Sequence, residues 1–339
     1  MHDGSRDLAS RTTLRLGGPA GQLVTATVTD EIPQMVRGPE PLLILAGGSN
    51  VIVGDDGYPG TVVLLRTRGC SVTGEDGGVS LRIAAGESWD GIVARTVAEG
   101  WSGIECLSGI PGSVGATPIQ NVGAYGQEIA ERVTAVRVYD RSRDADLVLR
   151  PDDCGFGYRT SVFKHSDRWI VLEVLLRLAS SPVSAPIRYA ELARALGVEV
   201  GERAPLDEVR AAVLKLRAGK GMVLDPDDPD TYSVGSFFTN PVLAADAFDE
   251  LRAAGAPAWP NPDGTVKTSA AWLIEQAGFH KGYGRNGVAI STKHTLALTN
   301  RGTGTAAALL DLAREIRAGG AQRFGVTLEP EPVLVNCAL

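Results

Sequence analysis

Three polar residues in apolar or glycine-flanked surroundings could carry chemistry. Arg159 follows Gly157-Tyr158, where a planar guanidinium is suited to grip a carboxylate or a phosphate. Ser236 stands between a glycine and two phenylalanines, which suits a hydroxyl that donates a proton away from water. Glu331 lies between two prolines, where a carboxylate is expected to be partnered or held toward its neutral form. Each also has an ordinary explanation: a structural salt bridge, a turn serine or an edge-strand charge.

A glycine-rich stretch runs from Leu107 to Gly126 and contains no charged residue. Glycine permits positive φ and close approach to the main chain, and the two prolines prevent a continuous helix. Such a loop can direct successive N–H groups at one anion. The spacing G-x-x-G-x-x-G, interrupted by Pro111, is not the dinucleotide fingerprint of a Rossmann fold. A buried, turn-rich connection is the alternative.

A second glycine turn, Gly47–Asn50, separates the apolar segments Leu42–Ala46 and Val51–Val53. Two amide-rich turns, each beside predicted buried strands, indicate one extended ligand held at two places. Because neither turn carries a lysine, a diphosphate bound there is predicted to belong to a tightly held cofactor.

Composition sets the broad class. The chain has 339 residues, 44% of them hydrophobic, and a formal net charge of −7 without a basic cluster. Two or three soluble domains are expected, with no nucleic-acid partner, no membrane insertion and, since residues 1–7 lack a secretory signal, a cytoplasmic location. The four cysteines are far apart and the histidines (His2, His165, His280, His294) are dispersed, so neither disulfides nor a metal site is expected.

Short strands and helices must position these residues. Strands are predicted over Leu23–Val28, Leu42–Ala46, Val51–Val53, Thr61–Leu65, Val79–Ala85, Val133–Asp140 and Trp169–Leu178. Helices are predicted over 30–37, from Ser88 to Gly100, up to Leu196, from Asp207 to Gly219, and over Ala244–Ala254, Thr268–Ala277 and Thr305–Ala318. Thr268 is expected to cap its helix and Gly319-Gly320 to end the last one.

With these pieces assembled, the sequence resembles the UDP-N-acetylenolpyruvoylglucosamine reductase (MurB) family, in its longer type I branch. The resemblance spans nearly the whole chain in seven blocks: T-T-L-R-L-G-G-P-A at 12–20, G-G-S-N-V-I-V at 47–53, I-P-G-S-V-G-A-T-P-I-Q-N-V-G-A-Y-G-Q-E at 110–128, G-Y-R-T-S at 157–161, G-S-F-F-T-N-P at 235–241, W-L-I-E-Q-A-G at 272–278 and L-E-P-E at 328–331.

The resemblance implies an α+β architecture: an FAD-binding fold of the PCMH or vanillyl-alcohol-oxidase type with two subdomains, followed by an α/β domain for the substrate. The implied divisions are 1–68 joined by 327–339, then 69–225 with the type I tyrosine loop, then 226–326. FAD is implied to be bound non-covalently by Gly47, Gly48, Ser49, Asn50, Val51, Ile110, Pro111, Gly112, Ser113, Gly115, Ala116, Gln120, Asn121 and Gly123.

The implied reaction has two halves. NADPH reduces FAD, and the reduced flavin gives hydride to the vinyl methylene of UDP-GlcNAc-enolpyruvate, yielding UDP-N-acetylmuramate for peptidoglycan synthesis. Arg159 is implied to grip the substrate carboxylate, Glu331 to help stabilise the enolate and Ser236 to deliver the proton. Residues implied near the UDP-sugar are Tyr189, Lys220, Asn240 and His294. No obligatory protein partner is expected.

Two other functions remain open. An FAD oxidase or dehydrogenase acting on another sugar or alcohol would leave G-S-F-F-T-N-P unexplained, and neither glycine loop has a histidine to tether the flavin. A catalytically inactive binding protein would be expected to have lost Arg159, Ser236 or Glu331, and all three are present.

Overall fold

The computed structural model describes residues 6–38 and 41–339, so His2 and most of the amino-terminal stretch lie outside the described residues. Its contacts form two compact units. The terminal unit consists of the described residues up to Pro19, together with the segments Gly48–Tyr58 and Leu224–Leu339. The central unit consists of the described residues of Ala20–Gly47, together with Pro59–Val223. The implied three-part division stays a prediction, and its boundary at 225 lies beside the residue at which the terminal unit resumes.

The strands, in chain order over the described residues, are β1 Ala20–Ala26, β2 Leu42–Leu45, β3 Val51–Val53, β4 Tyr58–Leu65, β5 Cys70–Glu75, β6 Gly78–Ala84, β7 Trp101–Ser102, β8 Gly123–Ala124, β9 Gln127–Glu128, β10 Val133–Asp140, β11 Ala145–Leu149, β12 Trp169–Ser180, β13 Val242–Leu243, β14 Ala258–Pro260, β15 Val266–Thr268, β16 Gly284–Arg285, β17 Val288–Ile290, β18 Leu298–Asn300 and β19 Val333–Val335. All seven predicted strands are confirmed, with ends shifted by a few residues.

The α-helices of the same residues are α1 Ile32–Met35, α2 Trp89–Ala98, α3 Ala190–Leu196, α4 Leu206–Gly219, α5 Ala245–Ala253, α6 Ala270–Gln276 and α7 Ala306–Phe324. Each of the seven predicted helices is confirmed within a few residues, except at the end of α7.

The central unit is built on an antiparallel sheet with the order β11-β10-β12-β6-β5, to which β7 adds against β12. The register places Val136 of β10 opposite Val174 of β12, and both side chains are fully buried. Trp89 of α2 is buried in the same core and donates its indole N–H to the Leu107 carbonyl at 3.1 Å. The start of the glycine-rich loop is therefore anchored to the core.

The terminal unit has its own core, which includes Phe237, Phe238 and Phe248. Strand β19 pairs in parallel with β3, with Val333 opposite Val51. Two small antiparallel sheets, β13-β15-β14 and β16-β17-β18, complete the unit with α5, α6 and α7.

Two predicted helix ends were wrong. Ser269, not Thr268, caps α6, because the Ser269 hydroxyl accepts the Trp272 N–H while Thr268 still belongs to β15. Helix α7 also continues through Gly319-Gly320 and ends at Gly325, which takes φ +66°. A side chain at Gly319 would come within 2.5 Å of the Phe279 ring, so close packing and not helix termination explains this glycine.

Asp55 reaches the amino terminus of α7 from the loop after β3. Its carboxylate accepts the Ala306 and Ala307 N–H groups at 2.8 and 2.9 Å. We expect Asp55→Ala to lower the free energy of unfolding by about 1–2 kcal/mol, as loss of a helix cap does. Urea denaturation measures this, with exposed Asp56→Ala as the matched control. Equal stability of the two variants would contradict the capping role.

Candidate active site

Gly47, at the start of the second glycine turn, meets the first glycine stretch within the central unit. A Cβ atom added to Gly47 would lie 2.6 Å from the Gly112 Cα, so the two main chains approach as closely as glycine allows. Gly112 itself has φ +118°, a positive backbone angle that residues with a side chain rarely adopt. The sequence predicted two turns holding one ligand, and the structure brings Gly47 and Gly112 together.

The loop around Gly112 rests on the segment that joins β6 to α2. The Gly115 N–H donates to the Ala85 carbonyl at 2.9 Å, and the Trp89 N–H donates to the Gly112 carbonyl at 3.1 Å. Between them, the Ser113 hydroxyl is buried and has no hydrogen-bond partner among the residues that the structure describes. An unsatisfied buried hydroxyl in a glycine loop fits a polar ligand group that would complete it.

A carboxylate fixes the first part of this loop. Asp90, in the first turn of α2, accepts the Gly109 N–H at 2.6 Å and forms a two-pronged ion pair with Arg210 at 2.7 and 2.9 Å. Burial raises the pKa of the Asp90 carboxyl, but the hydrogen bonds from Arg210 and Gly109 outweigh it and leave the pKa below its usual value. Sequence inspection missed Asp90 because nothing in its local pattern separates it from any acidic residue at a helix start.

Arg159 is docked on the far part of the loop. It takes φ +55° in the turn between Gly157 and Thr160, and its guanidinium donates to the Gly123 carbonyl at 2.7 Å. Backbone strain at a non-glycine residue persists only where surrounding contacts fix it, and it clusters at functional sites. The guanidinium is half-buried beside the loop and is oriented by the Gly123 carbonyl.

Asn121 joins the loop to the Arg159 turn. Its amide nitrogen donates to the Glu128 carboxylate at 2.8 Å and to the Gly157 carbonyl at 3.1 Å, and its oxygen accepts the Ala130 N–H at 3.1 Å. The Asn121 side chain thus serves the protein itself, and any contact with a cofactor would fall to its main chain. Its φ of +44° is also in the left-handed region.

Tyr189 and Lys220 lie in one cluster of the central unit. The Lys220 ammonium pairs with Glu191 at 2.6 Å and stands 5.8 Å from the Tyr125 ring centroid. The Tyr125 and Tyr189 rings meet edge to face with centroids 5.5 Å apart. Burial raises the pKa of Tyr125 to about 12, so its hydroxyl is neutral. Tyr125 and Glu191 were missed as site residues, although Tyr125 stands in the G-A-Y-G end of the glycine stretch.

In the terminal unit, the segments of Ser236 and Glu331 are hydrogen-bonded neighbours. The Glu331 N–H donates to the carbonyl of Phe237 at 2.8 Å, and Ser236 pairs on its other side with Ala297. Asn50 adjoins them, since its carbonyl accepts the Val333 N–H at 3.0 Å. The structure therefore brings together a predicted proton donor, a predicted acid and one residue of the second glycine turn.

A buried carboxylate supports the segment that flanks Ser236. Asp230 is 4% exposed and accepts the Thr292 N–H and the Arg301 guanidinium, each at 2.9 Å. Although burial raises its pKa, the hydrogen bonds from Thr292 and the charge of Arg301 bring the net pKa below the usual value. Asp230 thereby holds the start of the 291–297 segment, whose Leu296 carbonyl accepts the Phe237 N–H at 2.7 Å.

The remaining predicted residues are placed as follows. Asn240 accepts the Ala270 N–H at 3.0 Å, a contact that serves the start of α6. His294 lies in the segment opposite Ser236, and its N–H donates to the Ser291 hydroxyl at 3.3 Å. The Gly48 carbonyl accepts the Thr13 N–H at 3.0 Å. Val51 is the first residue of β3, and the others of the predicted cofactor set lie in the two glycine segments already described: Ser49, Ile110, Pro111, Ala116 and Gln120.

Comparison with protein-family models matches two regions of the chain. Residues 22–144 match an FAD binding domain, and residues 227–335 match the UDP-N-acetylenolpyruvoylglucosamine reductase C-terminal domain. The class of protein is therefore an FAD-binding one with a second, reductase-type domain, which confirms the predicted α+β fold class and the predicted cofactor.

Full-length relatives narrow the class to one family. A UDP-N-acetylenolpyruvoylglucosamine reductase of Salinispora arenicola is 61% identical over 99% of this chain and 96% of its own, and that of Streptomyces coelicolor is 53% identical over 100% and 91%. The crystal structure of the MurB reductase from Thermus caldophilus covers 97% of both chains with a TM-score of 0.66 and 27% identity. This chain belongs to the UDP-N-acetylenolpyruvoylglucosamine reductase family.

The contact between the glycine turns gives a direct test of FAD binding. We expect Gly47→Ala to weaken FAD binding roughly tenfold, because an overpacking strain of about 1–3 kcal/mol must be relieved by moving the turns apart. Titration of the apoprotein by flavin fluorescence measures the dissociation constant. Gly74→Ala is the control, since a Cβ there meets no atom within 4 Å. Native affinity in Gly47→Ala would count against the role of this contact.

The lowered pKa of Asp90 predicts a pH dependence of stability. Asp90→Asn keeps an oxygen for the Gly109 N–H but loses the ion pair with Arg210. This pair is screened by solvent, so its contribution to the free energy of unfolding is about 1 kcal/mol or less. Since the folded pKa is below the unfolded value of about 3.9, this stabilisation is complete above that value and is lost as the pH falls through the folded pKa. Urea unfolding from pH 7 down to pH 3 should show the native and Asn variants converging; exposed Asp76→Asn should show no such convergence.

Proposed function

We propose that this chain reduces UDP-GlcNAc-enolpyruvate to UDP-N-acetylmuramate with NADPH as the reductant and non-covalent FAD as the cofactor. The names of its relatives, at 53–61% identity over nearly the full length, support this activity. The structural observation that carries the proposal is the backbone pairing that sets the segments of Ser236 and Glu331 side by side.

The fit of FAD rests on the glycine turns. The close approach of Gly47 to Gly112 brings the two loops together where a dinucleotide would bind, and the buried Ser113 hydroxyl would donate a hydrogen bond to it. Main-chain amides of the two turns would bind the diphosphate without a lysine. When bound, FAD supplies the two-electron chemistry by accepting hydride from NADPH and passing it to the vinyl methylene of the substrate.

The chain's own residues handle the charge and the proton. Arg159 binds the substrate carboxylate, because a planar guanidinium can donate two N–H groups to a carboxylate and the Gly123 carbonyl orients it. Glu331 assists in stabilising the enolate that develops next to this carboxylate. Ser236 gives its proton to the carbon adjacent to the methylene, which completes the addition of two hydrogens across the double bond. A serine hydroxyl is a weak acid, and it can act here because an enolate carbon is strongly basic.

Binding of the UDP-sugar is assigned to Tyr189, Lys220, Asn240 and His294. Lys220 supplies a cation for the diphosphate, and the exposed Tyr189 ring offers an apolar face beside it. The Asn240 oxygen serves α6, so we assign the contact with substrate to its amide nitrogen.

We place the reaction in the cytoplasm, with no nucleic acid, no membrane insertion and no obligatory protein partner. Within residues 6–38 and 41–339, none of the helices combines the length and the apolar content that crossing a bilayer requires. A dehydrogenase acting on another sugar or alcohol is less well supported, because the Ser236–Glu331 arrangement would have no role in it.

Anaerobic stopped-flow separates the two half-reactions. In the native enzyme, NADPH should bleach the flavin spectrum, and UDP-GlcNAc-enolpyruvate should restore it. Ser236→Ala should leave the first step within about twofold and slow the second by roughly 10²–10⁴, the usual contribution of a general acid.

The matched control is Thr239→Val, which removes a hydroxyl three residues away and should change neither step appreciably. Equal slowing of both steps in Ser236→Ala would refute the proton-donor role. Failure of UDP-GlcNAc-enolpyruvate to reoxidise the native flavin would refute the proposed activity.

A further inference from the structure

Lys220 is engaged by a carboxylate in the structure. Its ammonium lies 2.6 Å from the Glu191 carboxylate, and the two side chains are 31% and 37% exposed. The ammonium also stands near the Tyr125 ring, whose edge-to-face partner is Tyr189. The cation assigned to the substrate's diphosphate is therefore paired with an anion of the protein itself.

The fold fixes the separation between Lys220 and Glu191. Glu191 lies in the first turn of α3, and Lys220 directly follows the last residue of α4. The two helices pack through a small core of their own, in which Leu192 of α3 and Val209 and Val213 of α4 are buried. The ion pair is thus a consequence of helix packing and not of two freely moving surface chains.

We propose that Glu191 competes with the substrate's diphosphate for Lys220, and so sets the affinity and the charge selectivity of this subsite. The proposal rests on the proposed function, which assigns Lys220 to the diphosphate. An incoming anion must displace the carboxylate or tolerate its repulsion, and this repulsion is larger for a diphosphate than for a monophosphate because the diphosphate carries more negative charge. A repulsive element of this kind is a common source of specificity in binding sites.

Isothermal titration of the FAD-loaded enzyme with UDP and with UMP tests the proposal. Glu191→Gln should tighten UDP binding about two- to fivefold at low salt, the range measured for partly exposed ion pairs. It should also widen the preference for UDP over UMP, because the repulsion that it removes is larger for the more highly charged ligand. The gain should shrink toward none in about 0.5 M salt, because screening removes the competition; a purely structural effect would not respond in this way.

Two further variants locate the effect. Glu208→Gln makes the same charge change at an exposed position in the first turn of α4 and should leave the UDP affinity unchanged. Lys220→Met should weaken UDP binding, and adding Glu191→Gln to it should then give at most a small part of the gain seen alone.

The outcomes separate the two proposals. If the native enzyme binds UDP but Glu191→Gln does not tighten it, or if the gain persists undiminished without Lys220, the competition is refuted and the proposed function stands. If the native enzyme does not bind UDP, or if Lys220→Met binds it unchanged, the assignment of Lys220 to the diphosphate is refuted. The proposed competition by Glu191 is then refuted as well.

Discussion

The close approach of Gly47 to Gly112 is the constraint on which the proposed cofactor site depends. At this point the two main chains are so close that a side chain at Gly47 would clash with Gly112. The positive φ of Gly112 adds to the requirement for glycine there. The approach is possible because the Gly112 loop is hydrogen-bonded to the segment between β6 and α2, which is itself part of the sheet core. The packing of a buried sheet in this way fixes the position of the half-buried loop around Gly112.

Hydrogen bonds of polar side chains fix the residues that surround Arg159 and Ser236. Asn121 uses every hydrogen-bonding group of its side chain to tie the glycine loop to the Arg159 turn, and Arg159 returns a hydrogen bond to Gly123. In the terminal unit, Asp230 fixes the segment that pairs with Ser236. Both arrangements show buried or half-buried polar groups that are satisfied internally, so that the residues assigned to chemistry need little rearrangement to act.

Sequence patterns predicted much of the fold because the buried elements carry strong signals. The apolar runs of β10 and β12 and the capped helix at Ser88 were found from period and capping alone. Strands β5 and β11 were missed, since both lie at sheet edges and alternate with exposed polar residues. The end of α7 was misplaced because a glycine chosen for contact with Phe279 looks in sequence like a helix stop.

The site shows a similar division. The glycine turns, Arg159, Ser236 and Glu331 were recognisable from residue type, neighbours and family resemblance. Asp90, Glu191 and Asp230 were not, because each acts on a residue that is distant in sequence, and a lone acidic residue carries no local mark of its partner. Pairings such as Asp90 with Arg210, 120 positions apart, emerge only when helices are packed in three dimensions.

The parallel pairing of β19 with β3 has a consequence for how the chain is made. Strand β3 leaves the ribosome early, yet its partner is synthesised about 280 residues later, at Val333–Val335. All the segments of the central unit have been synthesised by then, so that unit can fold while β3 still lacks its pairing strand. Until Val333–Val335 is synthesised, β3 is an apolar strand whose pairing partner is missing, and an unpaired apolar strand of this kind is open to a chaperone or to mispairing.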